Sequence, residues 1–161
     1  MFSTASSPIS AMGSRNSPVP VQVGSGIPTK IRDYVYCLPF NDFDAVEQCL
    51  NDRHGEIAAL LVEPCLGNIV GIEPKDGFLQ HLRNLCDKYN VVLIFDEVKT
   101  GFRLSNGGAR ETYEVIPDIS TYAKSLGNGV PVAAFGGKSE VMNVIGGGSV
   151  AHAVTVGGNG V

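Results

Sequence analysis

The sequence has no basic block, no long apolar run and no close pair of cysteines, and each absence removes a class of function. Twelve Lys and Arg stand against sixteen Asp and Glu, a formal net charge of −4, and the cations are scattered. Nucleic-acid binding draws on clustered cations that neutralise successive phosphates, so no nucleic-acid partner is expected. Apolar runs such as Val91 to Phe95 have only strand length. A bilayer-crossing helix needs about 20 such residues, so no membrane partner is expected either. Cys37, Cys49, Cys65 and Cys86 are widely and irregularly spaced, unlike a zinc knuckle or a redox motif. Without a secretory signal, this pattern points to reduced thiols in a cytoplasmic compartment, used as small buried apolar side chains. His54, His81 and His152 lie too far apart for a local metal motif, so no metal is expected.

Charge is also missing from residues 1–28, which are rich in Ser, Pro and Gly and carry only Arg15. They lack the Arg-rich amphipathic pattern of a transit peptide. Residues 1–32 are expected to be a divergent, disordered lead-in. The remainder, 33–161, fits one domain, and an apolar fraction of 43% over the whole chain allows a buried core.

What is present is a regular alternation of elements. Asn41 or Asp42 caps a helix with apolar positions Phe43, Val46, Cys49 and Leu50, ended by His54-Gly55. Ile57 to Val62 is a continuous apolar run too short for a buried helix, and reads as a central strand. A loop punctuated by Pro64, Gly67, Gly71 and Pro74 follows. Phe78, Leu79, Leu82, Leu85, Cys86 and Tyr89 then form one helical stripe, opposite Gln80, Arg83, Asn84, Asp87 and Lys88. Asn90 breaks that helix before a second buried strand, Val91 to Phe95. Strand, helix, strand makes a βαβ unit with a right-handed crossover. Further short strands are expected at Ile119 to Ala123 and Val132 to Phe135, with Gly146-Gly147-Gly148 as a flexible loop. The fold class is α/β, a mainly parallel sheet with helices packed on it.

Ligands of open α/β sheets sit at the carboxyl ends of the strands. The residues there are Glu63, then Asp96-Glu97, then Lys124, which converge on one rim if the strands are neighbours. Lys124 stands out because it follows a buried-looking stretch and precedes a glycine turn. A lysine in an apolar pocket has a lowered pKa, and its free amine forms a Schiff base with an aldehyde. The commonest such aldehyde is pyridoxal 5′-phosphate (PLP), whose ring nitrogen needs a carboxylate partner, for which Asp96 is the candidate.

Several runs resemble the class III aminotransferases. They are Val62-Glu63-Pro64 with Gly67-Asn68, then Pro74 to Leu79 with Leu82-Arg83 and Leu85 to Tyr89, then Leu93 to Arg103. Pro117-Asp118, Ala123 to Pro131, Ala134 to Gly137, Thr155 and Gly158-Asn159 continue the match, which covers about residues 33–160. The resemblance implies part of the large PLP-binding domain of a fold type I enzyme, acting on an amino-acid or amino-aldehyde substrate. It implies Lys124 as the Schiff-base lysine, Asp96 as partner of the pyridine nitrogen and Val98 packed on one ring face. Thr155 would reach the cofactor phosphate across a homodimer interface. Gly67-Asn68 is similar to the glutamate-1-semialdehyde 2,1-aminomutase branch, where many ω-aminotransferases carry a glutamate.

Members of that family are far longer. No equivalent of their upstream phosphate-binding turn is found in residues 1–32, and the small C-terminal domain has no counterpart. Val154 beside Thr155 replaces the usual glycine. Two readings therefore stand: an aminotransferase or aminomutase, split or given in part, with little activity alone; or a non-catalytic remnant that acts only by association with another chain. An aldolase-like Schiff-base enzyme fits Lys124 but not the surrounding motifs.

Overall fold

Capping chemistry sets where the first helix starts. The computed structural model describes residues 28–67, 71–146 and 150. After a 3₁₀ turn at Thr29–Tyr34, α1 (Phe43–Arg53) opens at Asp42, whose side chain accepts the Ala45 N–H at 3.1 Å. Thr29 to Arg32, the last residues of the expected lead-in, lie in this 3₁₀ turn. The neighbouring Asn41 has φ +64° and uses its side chain elsewhere, on the Lys75 N–H and the Glu73 carbonyl. That contact ties the loop before the second helix to the start of the first.

The apolar run from Ile57 becomes strand only at Ala59, giving β1 (Ala59–Val62). Ile57 instead closes a 3₁₀ turn at His54–Glu56, its N–H donating to the His54 carbonyl. The second helix, α2 (Phe78–Tyr89), is framed by left-handed residues, Gly77 before it and Asn90 after it. Its expected stripe is buried at Phe78, Leu79, Leu82, Leu85 and Cys86. Arg83 corrects the expectation of a solvent-facing position. It is buried, with one nitrogen on Asp118 at 2.8 Å and another on Asp87 at 2.7 Å. A guanidinium enters an interior only with such partners.

The next strand, β2 (Val92–Asp96), pairs in parallel with β1, aligning Leu60 with Leu93 and Val62 with Phe95. The short α3 (Ala109–Thr112) precedes β3 (Ile119–Tyr122), which pairs in parallel with β2 and aligns Asp96 with Thr121. A last strand, β4 (Ala134–Gly137), runs antiparallel to β3 and leads into α4 (Ser139–Gly146). The sheet order is β1-β2-β3-β4. β4 begins later than expected because Val132 is held in the turn by a bond from its N–H to the Val130 carbonyl. The short glycine-rich link from β3 carries no crossover helix, so only an antiparallel return is open to it.

Side chains alternate across the sheet. Leu60, Val62, Leu93 and Phe95 point to the face covered by α1 and α2, where they meet Val46, Leu50, Phe78, Leu82 and Cys86 in one core. On the other face Leu61, Ile94, Asp96, Ile119 and Thr121 are only half-buried. All four cysteines are free thiols, and Cys37, Cys49 and Cys86 are buried. Burial pushes the Cys86 thiol up to about 12, which leaves it inert.

Candidate active site at the carboxyl ends of the parallel strands

Because β1, β2 and β3 are neighbours and parallel, Glu63, Asp96-Glu97 and Lys124 follow the same end of the sheet. The structure gives these residues different work. Glu63 is buried and accepts the Gly67 N–H at 3.1 Å, so it shapes the loop after β1. Glu97 is fully buried and turns inward, its Oε2 accepting the Ala109 N–H at 2.6 Å and the Thr100 hydroxyl at 3.3 Å. Burial pushes its carboxyl up, opposed by those donors.

Asp96 is the acid left at the rim. It ends β2, half-buried, on the face away from the core. Both hydrogen bonds it receives fall on Oδ1, from the Val98 N–H at 3.1 Å and the Thr121 hydroxyl at 3.5 Å. Among the described residues Oδ2 has no hydrogen-bond partner, so one oxygen is fixed and the other is open to a donor. Val98 is half-buried beside it. Thr121 joins the site although it carries no motif of its own. Its place follows from strand register, which a single sequence leaves unstated.

Lys124 lies just past the end of β3, in φ +49°, a left-handed conformation uncommon for a residue with a side chain. The turn it starts is closed by the Gly127 and Asn128 N–H groups on its own carbonyl, at 3.1 and 3.0 Å. Ser125 donates its hydroxyl to the Gly101 carbonyl at 2.9 Å, linking this turn to the loop after β2. The apolar pocket expected around Lys124 is not formed by the described residues. Its side chain is exposed, as are the neighbouring residues Asn128 to Phe135. The physical reason is local: β3 stops at Tyr122 and the turn projects beyond the ends of the strands. Asp96, Val98 and Lys124 are therefore brought to one rim, the first two in direct contact. Thr155 and Asn68 lie outside the described residues.

Sequence patterning gave Asp118, one of the matched positions, no role of its own. It precedes β3, is buried, and accepts from Arg83, from Lys138 at 2.7 Å and from the Leu93 N–H at 2.7 Å. Burial alone would push its carboxyl up, but Lys138, the Leu93 amide and Arg83 together hold it below the usual carboxylate value. It locks β2, β3 and α2 together behind the rim.

Residues 28–161 match the family model for class-III aminotransferases. Among solved structures, the chain is 36% identical to an omega-transaminase from Sphaerobacter thermophilus (TM-score 0.78), over 86% of this chain and 32% of that one. It is 37% identical to the acetylornithine aminotransferase of Elizabethkingia anophelis (TM-score 0.67), over 75% of this chain and 32% of that one. A glutamate-1-semialdehyde-aminomutase from Pseudomonas aeruginosa PAO1, solved in complex with PMP, is 27% identical (TM-score 0.70), over 88% of this chain and 32% of that one. The chain thus spans about a third of the length of these solved structures.

Proposed function

Because the chain belongs to the class-III aminotransferase family, we propose that it contributes the lysine-bearing part of a PLP-dependent enzyme of amino-group transfer, an aminotransferase or a 2,1-aminomutase. Its sheet and helices are those of part of the large domain of fold type I PLP-dependent aminotransferases. The observation that carries the reading is the pairing of β2 with β3, which sets a carboxylate and an amine at the same ends of adjacent parallel strands.

The residues present fit the cofactor. Asp96 has one oxygen anchored and one open, as a partner for a ring N–H requires. Val98 offers a half-buried apolar side chain next to it. Lys124 would hold the cofactor through its amine and, as a free amine, would serve as base and acid for the substrate proton. When bound, PLP supplies the aldehyde and the electron-withdrawing ring. Thr155, by the family resemblance, reaches the phosphate across a homodimer interface, with a second copy or a completing chain covering the exposed Lys124. Gly67-Asn68 favours an aminomutase acting on an amino-aldehyde over a transaminase acting on an amino acid. The cytoplasm suits its free thiols. Among the described residues no helix is long and apolar enough to cross a membrane.

The test is incubation with PLP, reduction with borohydride and peptide mass mapping. The expected result is a pyridoxyl group on Lys124, absent in Lys124→Ala. Asp96→Ala should need about 10- to 100-fold more PLP for the same yield, the worth of one charge-assisted hydrogen bond. Exposure of Lys124 favours the second reading, a non-catalytic remnant that acts by association, and the absence of an adduct at Lys124 would favour it further.

A further inference from the structure

Directly after Asp96 stands a carboxylate that the reaction does not use. Glu97 is 0% exposed, and its Oε1 has no hydrogen-bond partner. A buried carboxylate left half-satisfied requires a reason. The reason lies in what its other oxygen holds. The chain leaves Glu97, forms a loop, and returns so that the Ala109 N–H reaches Oε2 at 2.6 Å. Thr100, inside the loop, adds its hydroxyl to the same oxygen at 3.3 Å. Gly108 at the return has φ +70° and ψ −155°, and a Cβ there would collide with the Glu97 carboxylate. Such backbone is open essentially to glycine alone. Residues 98–108 are therefore a strap fastened at both ends by one side chain.

The strap faces the Lys124 turn. Gly101 donates its N–H to the Glu97 carbonyl at 2.9 Å and packs so tightly that a Cβ would lie 2.7 Å from the Tyr122 ring. Phe102 sets its ring against Tyr122 with 5.7 Å between centroids. The Gly101 carbonyl accepts the Ser125 hydroxyl at 2.9 Å. Ser125 is the residue after Lys124, inside the turn whose Gly127 and Asn128 N–H groups close on the Lys124 carbonyl.

We propose that Glu97 is a positioning residue for Lys124: its carboxylate fastens the 98–108 strap, and the strap, through the Gly101 carbonyl and the Ser125 hydroxyl, fixes the left-handed turn that presents the amine. The Glu97 backbone N–H also reaches the Thr121 carbonyl of β3 at 3.0 Å, but its side chain bonds Thr100 and Ala109, so the carboxylate acts on the turn through the strap. The Lys124 role it serves rests on the function proposed above, but the strap and its hold on the turn do not.

Amide hydrogen exchange on the full chain separates the two. In Glu97→Ala and in Ser125→Ala, the Gly127 and Asn128 amides should exchange about 10-fold faster, one hydrogen bond's worth. The Leu93 and Asp118 amides should keep their wild-type rates in both variants. Glu97→Gln keeps an acceptor for Ala109 and Thr100 and should restore wild-type exchange. Trypsin cleavage after Arg103 should speed up in Glu97→Ala and stay unchanged in Ser125→Ala. Borohydride trapping of PLP at Lys124 should fall in both variants and recover in Glu97→Gln. Wild-type exchange at Gly127 and Asn128 in Glu97→Ala would overturn the proposal, as would a uniform rise that includes Leu93. Should Glu97→Ala fail to fold, unchanged turn amides in Ser125→Ala overturn it equally. A wild-type chain that traps no PLP removes the proposed function while the exchange result still decides the strap.

Discussion

Lys124 occupies backbone that its own side chain opposes. Left-handed conformation costs an L residue with a Cβ roughly 1–2 kcal/mol, a cost glycine does not bear. Strain of this kind collects where geometry serves chemistry. Lys124→Gly should therefore be more stable than Lys124→Ala by about 1 kcal/mol, net of glycine's greater unfolded-state entropy. Urea unfolding of the two variants measures the difference, and equal midpoints would mean that the strain does not exceed glycine's entropic cost. The residue scale is also where the sequence spoke least evenly. Asp96 and Lys124 could be picked out by their places after apolar runs. Glu97 sat beside Asp96 with the same chemistry, and only the fold distinguishes the buried fastener from the open partner. The exposure of Lys124 was not legible, because flanking apolar residues report on the strand and not on what covers its end.

At the scale of elements, the βαβ unit was legible because two signals agreed. The α2 stripe repeats with helical period, and the flanking runs are too short for buried helices. β4 was placed too early because propensity does not see Val132 bound into a turn. Arg83 was placed on the wrong face because periodicity assigns charge to solvent and has no knowledge of Asp118, 35 residues away. That pair makes a prediction. Removing one member of a buried, hydrogen-bonded ion pair leaves the other uncompensated, so Asp118→Ala should cost about 3–5 kcal/mol. The pH dependence has a definite sign. The carboxyl is held below its unfolded value, so it binds fewer protons folded than unfolded. Its stabilisation is full above the unfolded value of about 3.9 and is lost as pH falls through the lower folded value. Urea midpoints taken from pH 6 down to pH 3 should fall for the wild type and fall less for Asp118→Asn. Parallel slopes would remove Asp118 from the acid response.

The whole molecule is a sheet with its two faces treated unequally. Parallel sheets in α/β proteins are buried on both sides, and the continuous apolar strands β1 and β2 carry the residues for it. Within the described residues α1 and α2 bury one side fully and the other is left half-buried. Leu93 and Ile94 are neighbours in β2 on opposite faces, the first 0% exposed in the core and the second half-buried on the open side. Leu93→Ala should cost about 2–5 kcal/mol, since it removes buried methyl groups and leaves a cavity. Ile94→Ala should cost about 1 kcal/mol, in proportion to the smaller area it keeps from water. The ratio becomes informative when protein concentration is varied. A partner that binds only the folded chain stabilises it by mass action. If a second copy covers the open face, the cost of Ile94→Ala must grow toward that of Leu93→Ala as concentration rises, while the cost of Leu93→Ala stays level. A constant, small cost for Ile94→Ala across that range would show that a second copy does not cover this face, and that any further cover comes from outside these 161 residues.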